Sequence, residues 1–200
     1  MKKVGILGGT FNPIHIGHLM LAQNALDMCK LDKVLIIPSG VSYLKDPAII
    51  ASSQDRLAMA EISIKNNPLF ELSTIETSRK GNSYTYETLD ELLRLNSDYE
   101  LFYIVGADTL FSMEKWKNPE LIFDKCSLIC APRDNYSKEA LEEKKQELIN
   151  KYNAQIIFLD IPEVEISSSF IRDILNKGYS ARYYLADGVS EYIKEKHLYQ

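Results

Sequence analysis

The sequence predicts an α/β fold, doubly wound, with a mainly parallel sheet and helices on both faces. Three observations predict it. Short apolar, β-branched runs recur along the chain, and most are closed by Gly or Pro. Segments with apolar residues at helical spacing lie between them. The two kinds of segment alternate, which is the pattern of repeated strand–helix–strand units.

The first strand is Val4–Leu7, stopped at Gly8-Gly9. A helix over Gly17–Cys29 follows, with Leu19, Ala22, Leu26 and Cys29 on one face. Val34–Ile37 is the second strand, ended by Pro38 and Gly40, and Gln54–Asn66 the second helix, spaced by Leu57, Ala60 and Ile64. Phe70–Ile75 alternates and reads as a weaker strand before a helix at Tyr86–Leu95. Leu101–Val105, Leu128–Ala131 and Ile156–Leu159 supply three more strands. Helices are expected at Lys138–Tyr152, Phe170–Asn176 and Val189–Glu195, the first with a charged, solvated face. Strands this short and continuous suit burial on both faces of a parallel sheet. Ligands in such folds sit beyond the carboxyl ends of the strands, which directs attention to the residues after Leu7, Ile37, Val105 and Ala131.

Composition narrows the classes. The chain has 200 residues, 46% of them hydrophobic, enough for a core without cross-links. It is read as a single domain, 1–200. The net charge of −5 lacks the basic footprint of a nucleic-acid binder and suits a small anionic ligand held by a local cluster of cations. No apolar run reaches the roughly 18 residues of a membrane span. The start, Met1-Lys2-Lys3 and a brief apolar run, does not read as a signal peptide. Three cysteines, Cys29, Cys126 and Cys130, form no CxxC pair, so they are expected as reduced thiols of a cytoplasmic protein. Oligomeric state stays open, a homo-oligomer included.

The chemistry gathers after strand one, in Gly8-Gly9-Thr10-Phe11-Asn12-Pro13-Ile14-His15-Ile16-Gly17-His18. Two glycines permit close backbone approach to a ligand. Two of the three histidines in the chain stand three apart in what reads as the first turn of a helix, so they share a face. The helix start adds N–H groups and the positive end of its dipole. Together these make an anion site. The stretch is neither a Walker loop nor a GxGxxG fingerprint. A HxxH pair could be half a metal site, but no further ligands follow at suitable spacing.

This stretch resembles the HxGH nucleotidyltransferase superfamily, and later motifs resemble its nicotinate-nucleotide adenylyltransferase branch. Those motifs are Ser83-Tyr84-Thr85, Gly106-Ala107-Asp108, Trp116 and Ile166-Ser167-Ser168-Ser169-Phe170-Ile171-Arg172. The resemblance extends over nearly the whole chain, to His197-Leu198-Tyr199. It implies a Rossmann-like fold and adenylyl transfer from ATP to nicotinate mononucleotide, giving deamido-NAD and pyrophosphate in NAD biosynthesis. It also implies that the helical portion from about 166 to 200 completes the ATP site. Implied at that site are Gly8, Gly9, Thr10, Phe11, His15, His18, Lys45, Asp108, Ser167, Ser169 and Arg172. Of these, His18, His15, Lys45 and Arg172 would carry the catalysis. Tyr84, Thr85, Trp116 and Arg133 would hold the mononucleotide. No metal is held by the protein's own side chains in this reading, Mg²⁺ arriving with ATP.

Three departures stand out. Ser169 replaces the usual Thr and keeps the hydroxyl. Leu44 replaces a histidine beside the retained Lys45. Arg133-Asp134-Asn135 stands where Arg-Pro-Gly is common. Two rivals remain: pantetheine-phosphate adenylyltransferase, which SYT and Trp116 fit poorly, and a catalytically idle nucleotide sensor, which the intact His15, His18, Lys45 and Arg172 argue against.

Overall fold

A computed structural model describes residues 1–40, 50–132, 135–162 and 164–199. Six strands form one sheet: β1 (Lys2–Gly9), β2 (Lys33–Pro38), β3 (Phe70–Leu72), β4 (Tyr99–Gly106), β5 (Ser127–Ala131) and β6 (Ile156–Phe158). Their order is β3-β2-β1-β4-β5-β6, the doubly wound arrangement expected from the alternating pattern. β1 pairs with β4, β4 with β5 and β5 with β6, all parallel, with Val4 opposite Leu101 and Tyr103 opposite Leu128.

Eight helices accompany them among the described residues: α1 (Ile16–Met28), α2 (Ser53–Ile64), α3 (Thr85–Leu95), α4 (Ala107–Ser112), α5 (Pro119–Lys125), α6 (Lys138–Tyr152), α7 (Ser168–Asn176) and α8 (Val189–Glu195). Six were expected. The helices α4 and α5, with a 3-10 turn at Met113–Lys115 between them, were not. Helix α4 begins at the residue after β4, with no break to mark it, and α5 is started by local geometry: Asn118 is left-handed (φ 50°) and Pro119 takes the first helical position. The strand expected over 70–75 stops at Leu72, and Ser73 turns its hydroxyl onto the Ile75 amide instead.

Two compact units divide the chain. The first comprises Met1–Leu7, Leu21–Val34 and Tyr84–Glu163. Its core is Val4, Ile6, Val34, Leu89, Ile104, Leu110, Ile122, Leu128 and Ile129, all essentially inaccessible. Burial pushes the Cys126 and Cys130 thiols up to about 12, so both are inert neutral packing groups. Helix α6, expected to be a solvated face, also holds a part-buried ion pair. Lys144 donates to Glu114, which also accepts from Lys151 Nζ (2.7 Å) and the Tyr152 hydroxyl (3.2 Å).

The second unit comprises Gly8–Met20, Leu35–Ser83 and Val164–Gln200. Helix α2 packs on β3 and α8 there. Its core includes Ile14, Ile36, Ile37, Met59, Ala60, Ile171, Val189 and Ile193. Ser52 caps α2 and Ser167 caps α7 through their hydroxyls, each satisfying an amide that the first helical turn leaves open.

Candidate active site

Most of the residues expected at the ATP site lie in the second unit, and their geometry follows from the loop that leaves β1. Phe11 is left-handed (φ 50°) and buried. A Cβ on Gly9 would meet its ring at 2.9 Å, so only glycine lets the chain pass Phe11 here. The Phe11 ring in turn meets His18 edge-on, with centroids 5.0 Å apart at 86°. Although expected to contact ATP, Phe11 is 2% exposed, and its ring bears on His18.

The two histidines are held together more tightly than a shared helical face requires. His15 precedes α1 rather than lying in its first turn, and its carbonyl accepts the amides of His18 (2.9 Å) and Leu19 (3.3 Å). The imidazoles stack with centroids 3.7 Å apart, inclined by 28°. The His15 amide donates to His18 Nδ1 at 3.2 Å. A neutral His18 therefore carries its proton on Nε2, where it is a donor. Gly17 is what lets His15 lie flat. A Cβ there would stand 3.2 Å from His15 Nδ1.

Helix α7 braces the same loop. Ser168 donates to the Pro13 carbonyl (2.8 Å), and Arg172 Nη1 donates to the Asn12 carbonyl (2.8 Å). Ser167 and Ser169 are exposed, with hydroxyls 3.0 Å apart at the N-terminus of the helix. His15, His18 and Arg172 thus gather around one loop, with Ser167 and Ser169 on the helix that braces it. Ser168, which the sequence reading passed over, is the serine that holds it.

Sequence reasoning also missed Arg56, Asn12 and Tyr199. Arg56 is 3% exposed and spends its guanidinium on three main-chain carbonyls: Thr10 (2.8 Å), Ser39 (2.8 Å) and Ala51 (3.2 Å). Burial lowers its pKa from the ordinary value. The Asn12 side chain is buried, and its Oδ1 accepts from the Ala51 amide (2.9 Å) and the Tyr199 hydroxyl (2.8 Å). A polar residue on a helix ordinarily reads as solvent-facing, and Tyr199 is far from Asn12 in sequence, so only the fold reveals these partners.

The remaining expected residues belong to the first unit. Asp108 is exposed in the first turn of α4, directly after β4 ends at Gly106. Tyr84 caps α3 by backbone conformation alone and lies near-parallel to Tyr86, while Thr85 opens the helix. Trp116 is half-buried and meets Tyr103 edge-on, with centroids 6.1 Å apart at 88°. Lys45 and Arg133 lie outside the described residues, as do Leu44 and Asp134. Among the described residues no three His, Cys, Asp or Glu side chains cluster as metal ligands, and no helix is long and apolar enough to cross a membrane.

Residues 6–174 match the cytidylyltransferase-like family. A protein of Lachnoclostridium phytofermentans named "Probable nicotinate-nucleotide adenylyltransferase" is 39% identical over 199 residues, covering 100% of both chains. A protein of the same name from Clostridium tetani is 38% identical over 200 residues, again covering 100% of both. A Plasmodium falciparum nicotinic acid mononucleotide adenylyltransferase complexed with NaAD shares the fold, with a TM-score of 0.83 at 21% identity, over 100% of this chain and 98% of the other. With its family match over residues 6–174 and relatives 38–39% identical along the full chain, the chain belongs to the cytidylyltransferase-like family and, within it, to the nicotinate-nucleotide adenylyltransferases.

Proposed function

We propose that this chain transfers the adenylyl group of ATP to nicotinate mononucleotide, forming the dinucleotide and releasing pyrophosphate, as a step of NAD biosynthesis in the cytoplasm. The observation that carries the reading is the stacked His15–His18 pair, fixed at the end of β1 on a loop that Ser168 and Arg172 brace. The names of relatives matched over their full length support this choice of substrates.

The nucleophile is a 5′-phosphate oxygen of the mononucleotide, already anionic at neutral pH. It bonds to the α-phosphorus of ATP as the bond to the bridging oxygen breaks, and pyrophosphate leaves with that electron pair. No general base and no covalent residue are required. The protein positions two polyanions in line and neutralises the charge that develops. His18, a donor at Nε2, is assigned to the triphosphate and to the charge of the transition state. His15 is assigned beside it. A guanidinium has five N–H donors, so Arg172 can brace Asn12 and still meet a phosphate. Lys45 and Arg172 are assigned to the β- and γ-phosphates, and Ser167, Ser169 and the N-terminus of α7 add hydroxyl and amide donors. The backbone of Gly8, Gly9 and Thr10 lines the approach, and Asp108 is assigned to ribose hydroxyls. Tyr84, Thr85, Trp116 and Arg133 are assigned to the mononucleotide, the indole against the electron-poor pyridine ring. Mg²⁺ enters on ATP as part of the substrate and supplies further charge neutralisation.

The test is pyrophosphate release with Mg·ATP against nicotinate mononucleotide, nicotinamide mononucleotide, phosphopantetheine and FMN. Turnover is expected with nicotinate mononucleotide well above the rest. Turnover only with phosphopantetheine would overturn the assignment of Thr85 and Trp116. ATP binding with no release from any partner would overturn the enzymatic reading.

A further inference from the structure

Beyond the residues assigned to phosphate, the last segment of the second unit carries a polar contact to the histidine loop. Tyr199 follows α8 and is half-buried. Its hydroxyl donates to Asn12 Oδ1 at 2.8 Å, across 187 positions of sequence. The Ala51 amide donates to the same oxygen at 2.9 Å. A carbonyl oxygen has two lone pairs, so these bonds saturate Oδ1 and fix the plane of the side-chain amide. The Asn12 main-chain carbonyl is held separately by Arg172. Asn12 is thereby anchored at both its side chain and its backbone. From Asn12 the chain runs through Pro13 and Ile14, both buried, straight to His15, whose amide sets the His18 ring.

We infer that Tyr199 is a positioning residue for adenylyl transfer, acting through Asn12 to hold the His15–His18 pair in register. It touches no substrate in this assignment. Its phenol fixes one end of a four-residue segment whose other end is the catalytic pair. Displacements of about 1 Å at a reacting centre can cost 10²-fold in rate, and loss of one of the anchors on Asn12 permits a smaller shift. The inference rests on the adenylyl-transfer reading.

Tyr199→Phe removes the hydroxyl and keeps the ring. Steady-state kinetics should show kcat reduced about 5–20-fold and KM for nicotinate mononucleotide within about twofold, with the melting temperature lowered only by the few degrees that loss of one hydrogen bond costs. In an Asn12→Ala background the same substitution should have no further effect on kcat, because the route is already cut. In an Asn12→Asp background, which keeps an acceptor at the same position, the sensitivity should persist. Wild-type kcat in Tyr199→Phe, or an undiminished effect in Asn12→Ala, would overturn the positioning role while leaving adenylyl transfer intact. Absence of turnover by the unaltered chain would instead overturn the reading beneath it.

Discussion

The His18 ring lies against that of His15, centroids 3.7 Å apart, and takes a hydrogen bond on Nδ1 from the His15 amide. One imidazole is thus held by the backbone of the other. The arrangement fixes the tautomer of neutral His18 and leaves Nε2–H as its donor. It also explains the glycine between them, since a side chain at position 17 would press on the His15 ring.

Gly17→Ala tests that geometry. The added Cβ would meet His15 Nδ1 at 3.2 Å and Cε1 at 3.3 Å, so the ring must give way. Alanine is the better helix former by about 1 kcal/mol, so stability should hold or rise slightly. Activity should fall by about tenfold, since sub-ångström displacement of the pair suffices. Equal kcat in the two proteins would show that the stacked arrangement is not needed for turnover.

Arg56→Lys should destabilise the fold by about 2–4 kcal/mol, measured by denaturant unfolding. A single ammonium cannot reach the Thr10, Ser39 and Ala51 carbonyls that the guanidinium serves together. A loss within about 0.5 kcal/mol, the range of ordinary surface changes, would contradict the clamp.

Trp116→Ala should raise KM for the mononucleotide and leave KM for ATP nearly unchanged. Loss of one aromatic contact corresponds to about 0.5–1.5 kcal/mol, or about twofold to thirteenfold in KM. A rise in KM for ATP instead would move the indole to the other substrate.

Glu114 gives a stability change with a defined sign in pH. Hydrogen bonds from Lys144 and Lys151 hold its carboxyl down to about 2, below the ordinary 4.5. A depressed folded-state pKa contributes stability that is fully present above the unfolded value and lost as pH falls through the folded one. Glu114→Gln should therefore lower the melting temperature most above pH 4.5, and the gap to wild type should close progressively toward pH 2. A gap independent of pH would show that packing, not ionisation, holds the carboxyl.

How much of this was legible in the sequence differs between elements. The six strands and six of the helices declared themselves through apolar spacing, and Val189–Glu195 and Lys138–Tyr152 match residue for residue. Helix α4 follows β4 with no residue between them, and α5 is started by the backbone at Asn118 and Pro119, so neither was marked off as a separate apolar segment. At the site, the Gly-Gly loop, both histidines and the α7 serines were legible because their chemistry is local. Arg56, Asn12 and Tyr199 were not. Their partners are carbonyls and amides, and a main-chain group leaves no trace in the identity of its residue. Ser168 shows the same limit: three serines in a row read alike, and only the fold tells the loop brace from its exposed neighbours.

The central claim is adenylyl transfer by the loop that carries His18. Single-turnover reaction of α-³²P-labelled ATP with nicotinate mononucleotide and Mg²⁺ tests it most directly, comparing wild type with His18→Ala. Label should enter the dinucleotide in wild type. In the variant it should enter more slowly, by on the order of 10²–10³, while ATP binding weakens far less. Label that never reaches a dinucleotide in wild type, or reaches it equally fast without His18, would contradict the account.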